Sequence, residues 1–380
     1  LINQPKSVRI FLKLFVVFQL FVTWLPGLRA LTAFNGPDEE VRIGLLVPGP
    51  ESLSAIQGAE LAVRIANENG GMKGKPFRLL FRTMEGPWGT GSKQAVNLIF
   101  DEKVWALLGS HDGRNAHLVE QAATKSTVVF VSVWAGDPTL SQAFVPWFFN
   151  CVPNDVQQAE ALIEEIYGRR RTKVPVIVYD DEYDSMQAMN NFLKRADQKH
   201  KPVPAQFHFG DYSSDLDRLS DKIDELQTDC LIFFCNPVTT CNIFLTISKK
   251  NKKLAFFCPL YILNEDMLTD NELKNFDDKI MVASGNYSEP LRSEFRKKYL
   301  ETFGIAPGMV AAFAFDGMNA LIHAIRKAGE QDREKIQKAL SEISFDGVTG
   351  LIQFDERGNR SCKLGIMSVI NGFPATPEKR

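Results

Sequence analysis

No excess of positive charge, no cysteine framework and no phosphate-cradling glycine loop marks this chain, and each absence removes a class of function. Formal net charge is −2 over 380 residues with 24% charged side chains, which gives no ground for nucleic acid binding. The six cysteines, Cys151, Cys230, Cys235, Cys241, Cys258 and Cys362, match neither zinc-ribbon spacing nor a CxxC redox pair. Cys235 and Cys258 close two expected neighbouring strands and are the first choice for a disulfide, with buried free thiols as the equal alternative. The five histidines, at 111, 117, 200, 208 and 323, lack metal-ligand spacing. Asp180, Asp181, Glu182 and Asp184 lack the regular spacing and turn glycine of a calcium loop, so they read as an acidic strand end and helix start. Ser110, His111 and Asp112 hold the residue types of a hydrolase, but consecutive side chains point apart and cannot form a relay. With no nucleophile elbow either, the expectation is no enzyme, no catalytic residue, no metal and no cofactor.

Long apolar runs are scarce as well. Leu14 to Leu25, preceded or entered by Lys6, Arg9 and Lys13 and followed by Pro26, Gly27, Ala30 and Ala33, reads as a signal peptide over residues 1–30 with cleavage after Ala30 or Ala33. A retained anchor is the alternative, disfavoured because about 20 apolar residues are needed to span a membrane. Removing the four basic residues of that segment takes the net charge from −2 to −6.

What is abundant is alternation of strand and helix from Val41 onward, which predicts parallel sheets covered on both faces. Strands are expected at 41–47, 77–82, 104–108 and 128–131, with helices near 55–68, 92–101 and 114–124. The first helix is predicted to open with a Ser54–Gln57 capping box, to carry a Glu60–Arg64 pair and to stop at Gly70 and Gly71. A second series follows from Asp155: strands at 174–179, 203–209, 230–234, 254–257 and 279–283, with intervening helices. Late helices at 291–303, 309–328 and 332–343, the last capped by Asp332, precede strands at 351–354 and 364–370. Two similar halves imply a cleft between them. Crossovers are expected near 151–154, 284–287 and 345–349.

These residues resemble a known family. Val41 to Pro50, Gly58-Ala59-Glu60-Leu61-Ala62 and Asn69-Gly70-Gly71 look like the opening of the branched-chain amino acid (Leu/Ile/Val)-binding proteins, the type I periplasmic binding proteins of ABC transporters. Lys93-Gln94-Ala95, Pro153-Asn154-Asp155 with Gln158, Tyr179-Asp180 with Tyr183, Phe315-Asp316-Gly317 and Phe345 to Gly350 continue the match in order. The resemblance implies an α/β fold of two doubly wound parallel-sheet lobes joined by three crossovers, with a hinged cleft. Lobe 1 is expected at 41–152 plus 287–346 and lobe 2 at 153–284 plus 349–374. It further implies an exported, monomeric solute-binding protein that traps a small molecule and hands it to an ABC permease complex in the inner membrane. A ligand-sensing receptor of the same fold, coupled to a membrane signalling partner, is the alternative.

The same comparison places the candidate ligand-binding residues at His111, Asp112, Gly113, Arg114, Trp134, Ala135, Gly136, Asp155, Tyr183, Asn236 and Tyr261. Gly113 and Gly136 stand where amino acid binders place a serine and a threonine hydroxyl for the ligand carboxylate. Leu260 stands where their ammonium-binding acid lies, and Asn236 replaces a tyrosine. A plain α-amino acid is therefore disfavoured. Backbone N–H groups of Gly113 and Arg114 at a helix start suit an anion, the Arg114 guanidinium suits a bidentate contact, and Trp134 suits stacking on a flat ligand. The expected ligand is carboxylate-bearing or aromatic.

Overall fold

Continuous apolar runs become the central strands, because a parallel sheet covered on both faces has no polar side to alternate with. β1 (Val41–Val47) is flanked in parallel by β2 (Phe77–Thr83) and β3 (Ala106–Gly109), and β4 (Phe130–Ser132) and β5 (Phe148–Asn150) extend the sheet in the order β2-β1-β3-β4-β5. The computed structural model describes residues 40–109, 112–142, 145–210, 212–251, 253–285 and 289–375. The expected signal peptide, His111 and the Tyr287 end of the second crossover lie outside the described residues. Everything discussed below belongs to the compact unit that begins at Val41.

A second sheet is built from β6 (Pro175–Tyr179), β7 (Ala205–His208), β8 (Cys230–Phe234), β9 (Ala255–Cys258) and β10 (Ile280–Ser284), all parallel. Two antiparallel strands, β13 (Gly365–Ile370) and β14 (Phe373–Ala375), complete the order β14-β13-β10-β9-β8-β6-β7. Strand order reverses beside β1 in one sheet and beside β6 in the other, and such switch points put loops around a crevice at the carboxyl ends of the strands. The chain thus folds as two doubly wound α/β lobes. β11 (Ser344–Gly347) and β12 (Gly350–Gln353) join neither sheet and pair as a separate hairpin.

Helix α1 (Leu53–Glu68) departs from expectation at its start. It begins after Ser52, and the capping box does not form. Its would-be members are taken by tertiary partners: the Ser54 N–H donates to Asp266 Oδ1 at 3.0 Å, and Gln57 Oε1 accepts from the Tyr299 hydroxyl at 2.7 Å. The rest of the helix follows its sequence, with the Glu60–Arg64 pair at 2.9 Å and the glycine stop in left-handed backbone at Gly70 and Gly71. A Cβ on Gly58 would lie 2.2 Å from the Ala311 carbonyl oxygen in helix α10 (Met309–Ala328), so only glycine permits this helix contact. Asp332 caps α11 (Arg333–Ser341) as expected, its carboxylate accepting from the Lys335 N–H. A genuine capping box, not foreseen, opens α4 (Asp155–Ile163) with Asn154 and Gln157. All six cysteines are free thiols, and Cys235 and Cys258 are buried without bonding to each other.

Between the lobes, the hairpin is tied down by one buried guanidinium. Arg360, 2% exposed, donates to the Cys151 carbonyl at 2.9 Å, the Thr349 hydroxyl at 2.9 Å, the Thr349 carbonyl at 2.7 Å and the Leu351 carbonyl at 3.1 Å. Asp316, equally buried, accepts from the N–H groups of Val348 and Thr349 at 3.0 and 2.7 Å and from the Thr349 hydroxyl at 2.6 Å. Arg360 thereby links the Cys151 connection to the hairpin. Removing a buried charge leaves several acceptors and Asp316 uncompensated, a loss of roughly 3 to 5 kcal/mol. Arg360→Ala is expected to lower the unfolding free energy by about 3 kcal/mol or more, measured as a reduced urea midpoint at unchanged slope.

Candidate functional site

The strand ends of both sheets converge on a cavity of about 570 Å³. Lobe 1 contributes Pro48, Glu51 and Ser52 beyond β1, Asp112, Arg114 and Asn115 beyond β3, and Trp134 beyond β4. Lobe 2 contributes Glu182 to Ser185 beyond β6, Asn236 and Pro237 beyond β8, and Tyr261, Asn264, Asp266 and Met267 beyond β9. A small recess adjoins it, bounded by Trp134 and Tyr261 of the cavity together with Gly136, Val152, Asp155, Gln158 and Leu260.

Of the residues expected from the sequence, Asp112, Arg114, Trp134, Tyr183, Asn236 and Tyr261 line the cavity, and Gly136 and Asp155 line the recess. Ala135 is buried behind the wall, its carbonyl accepting from the Asn150 amide at 2.9 Å. Gly113 sits at the start of α3 (Gly113–Lys125), but its N–H is engaged: it donates to Asp184 Oδ1 at 3.0 Å. Asp112 is the N-cap of the same helix and accepts from the Asn115 N–H at 2.7 Å. Asn236 caps α7 (Pro237–Lys250) and donates through its backbone to Asp180 at 2.7 Å. Glu51, Glu182, Asp184 and Asp266 were not among the expected residues. The strand-end rule was the available signal, since each follows a β-strand carboxyl end within a few residues.

Beside the Ser54 to Asp266 bond, two further hydrogen bonds latch the lobes across the cavity. One is Gly113 to Asp184; the other runs from the Tyr183 hydroxyl to Asp137 Oδ2 at 2.9 Å. Asp137 also faces His117 Nε2 at 3.2 Å and accepts from the Thr139 N–H and hydroxyl at 2.8 and 2.7 Å. Burial pushes this carboxyl up, but the hydrogen bonds from His117, Thr139 and Tyr183 outweigh it and hold the pKa at about 2. Its hydrogen bond raises His117 in turn. Arg114 lies with its guanidinium carbon 5.2 Å from the Tyr183 ring centre, and Trp134 meets Phe313 edge to face at 6.0 Å.

The lining is acidic. Five carboxylates, Glu51, Asp112, Glu182, Asp184 and Asp266, surround one cationic side chain, Arg114, among the described lining residues. Burial moves Asp184 up to about 7, with Asp112, Asp137 and Glu182 adding to it against the Gly113 hydrogen bond. Asp155 is driven well above the carboxylate range by burial and by Asp184 and Asp137. The Gly113 N–H, expected to face an anion, is thus already engaged by an acid of the other lobe.

Similarity to known proteins agrees with this geometry. A family described as periplasmic binding protein matches residues 40–372. The chain is 25% identical over 336 residues to glutamate receptor 3.4 of Arabidopsis thaliana, covering 76% of this chain but only 34% of that receptor. It is 20% identical over 349 residues to Leu/Ile/Val-binding protein homolog 1 of Brucella melitensis, covering 88% of this chain and 91% of that protein. A benzoate complex of an ABC transporter solute-binding protein from R. palustris superposes with a TM-score of 0.75 at 17% identity, covering 89% and 95% of the two chains.

The raised carboxyl at Asp184 carries a pH signature. A group whose folded pKa lies above its unfolded value contributes stability at low pH that is lost as pH rises through the folded pKa. For Asp184 that window runs from about 4 to about 7. Asn at this position keeps an oxygen to accept the Gly113 N–H and cannot ionise. Asp184→Asn is therefore expected to raise the unfolding midpoint at pH 8 and to flatten its fall between about pH 4 and 7, measured by differential scanning calorimetry.

Proposed function

Because the chain belongs to the periplasmic binding protein family, we propose that it is an exported solute-binding protein that closes on a small organic ligand and delivers it to an ABC permease complex. The observation that carries this reading is the cavity at the facing strand ends, bridged by direct hydrogen bonds from Tyr183 to Asp137 and from Gly113 to Asp184. Lobes joined by more than one segment can rotate about their connections, and ligand contacts to both sides then favour the closed state. Binding alone accounts for the arrangement, and no catalytic step is assigned to it. Trp134, Tyr183 and Tyr261 offer aromatic surface, in keeping with a ring-bearing ligand. Residues 1–30 would direct export and leave a periplasmic or extracellular monomer, with lobes at 41–152 plus 287–346 and 153–284 plus 349–374.

The plant receptor similarity favours a second reading, a ligand-sensing domain of the same fold coupled to a membrane signalling partner. The chain spans about a third of that receptor. Sequencing the full gene separates the two: a pore-forming or signalling region continuous with residue 380 supports sensing, and a permease and ATPase encoded alongside support import.

The binding reading predicts a thermal shift with at least one member of a panel of aromatic acids, amides, amines and amino acids, since a ligand at a hundredfold excess over Kd stabilises by about 2.7 kcal/mol. Small-angle scattering with that compound should report compaction or an unchanged, already closed envelope. No shift across the panel would count against it. Tyr183→Phe leaves Asp137 short of one donor, and a hydrogen bond to a charged group is worth about 1.5 to 3 kcal/mol. The variant is expected to raise Kd about tenfold or more, read by calorimetric titration.

A further inference from the structure

At Gly113 and Gly136 the lack of a side chain leaves room for carboxyl groups to approach the cleft. A Cβ on Gly136 would stand 2.4 Å from Asp155 Oδ1, and a Cβ on Gly113 would stand 3.1 Å from Asp184 Oδ1 and 2.8 Å from the Asp137 Cβ. A side chain at either position would displace an acid. The groups that border these two glycines are therefore carboxyls: Asp155 at Gly136, Asp137 and Asp184 at Gly113.

Asp155 is the sharper of the two. It is 5% exposed and borders the recess between Trp134 and Tyr261, and among the described residues no hydrogen-bond donor reaches its carboxylate. A carboxylate that is both buried and unpaired is costly, which points to a partner absent from the chain itself. At the far side of the cavity Asp266 repeats the pattern. Its Oδ1 accepts from the Ser54 N–H, while its Oδ2 is buried without a partner. Against these acids the described lining residues supply one guanidinium, and that guanidinium rests on the Tyr183 ring.

Resting on the solute-binding reading, we propose that the cleft selects an organic cation: an amine without a carboxylate, its ammonium at the mouth of the recess that Asp155 borders, with Asp184 on the cavity wall, and its carbon skeleton in the cavity against Trp134 and Tyr261. An ammonium has donors but no acceptor, so it satisfies these oxygens without meeting the like-charge repulsion that a carboxylate would. Aromatic faces beside it add cation–π attraction. A free amino acid brings the ammonium but also a carboxylate, which would face the acidic lining and find the Gly113 N–H already donated to Asp184.

The test titrates the purified chain with benzylamine, 1,4-diaminobutane, benzyl alcohol, benzoate and leucine by calorimetry. At least one amine should bind, with the alcohol, benzoate and leucine at least tenfold weaker, and Asp155→Asn should weaken the amine at least tenfold with no fall in the unfolding midpoint. Should Asp155→Asn fail to fold, Asp184→Asn makes the same comparison. Tighter binding of benzoate or leucine than of the amines, or an amine affinity indifferent to the variant, overturns the charge assignment and leaves the solute-binding reading in place. Binding of none of these, together with no shift in the wider panel, overturns both.

Discussion

The ionised carboxylate of Asp137 organises the cleft. It takes hydrogen bonds from Thr139 on its own loop, from His117 on the neighbouring helix and from Tyr183 of the other lobe. One side chain thus sets the path of the loop that carries Trp134 and Gly136, docks it on α3 and joins it to the second sheet. Charge-assisted hydrogen bonds of this kind are about twice as strong as neutral ones. Their combined effect holds this acid ionised where Asp155 and Asp184, close by, are pushed toward the neutral form. The cleft contains carboxyls of two kinds, one held ionised by several donors and others with few: Asp184 takes the Gly113 N–H alone, and Asp155 takes no donor among the described residues.

The scaffold holding these loops is rigid where it can be and jointed where it must be. Gly58 brings the backbones of α1 and α10 together so closely that no other residue fits. Arg360 and Asp316 gather the carbonyls and N–H groups of the hairpin and the Cys151 connection. An irregular connection between lobes carries backbone groups that no ladder satisfies, and burying them requires partners. The buried guanidinium and carboxylate provide those partners.

Much of the scaffold was legible because its signals are local. Apolar runs such as Val41–Val47 and Cys230–Phe234 can only be interior strands, the glycine pair after Glu68 can only be a helix stop, and Met309–Ala328 shows its helical repeat throughout. The candidate site was legible in part. Asp112, Arg114, Trp134, Tyr183, Asn236 and Tyr261 were found from loops placed by resemblance, and all six line the cavity. Glu51, Glu182, Asp184 and Asp266 were passed over because acids near helix starts are common on solvated surfaces. Nothing local distinguishes them from acids that face a cavity. The Ser54 capping box failed for the converse reason: its local geometry was available, and Asp266 and Tyr299, more than two hundred residues away, claimed the same groups.

Sequence by itself determined the class of the fold and the order of its strands and helices along the chain, since periodicity and helix stops depend on near neighbours. The charge of the cleft was decided by tertiary structure alone. Electrostatic character depends on distances between groups far apart in the chain: Asp184 and Gly113, Tyr183 and Asp137, Asp266 and Ser54. The helix start at Gly113 and Arg114 offers donors to an anion when read along the chain, and a wall of carboxylates surrounds it once the lobes have met.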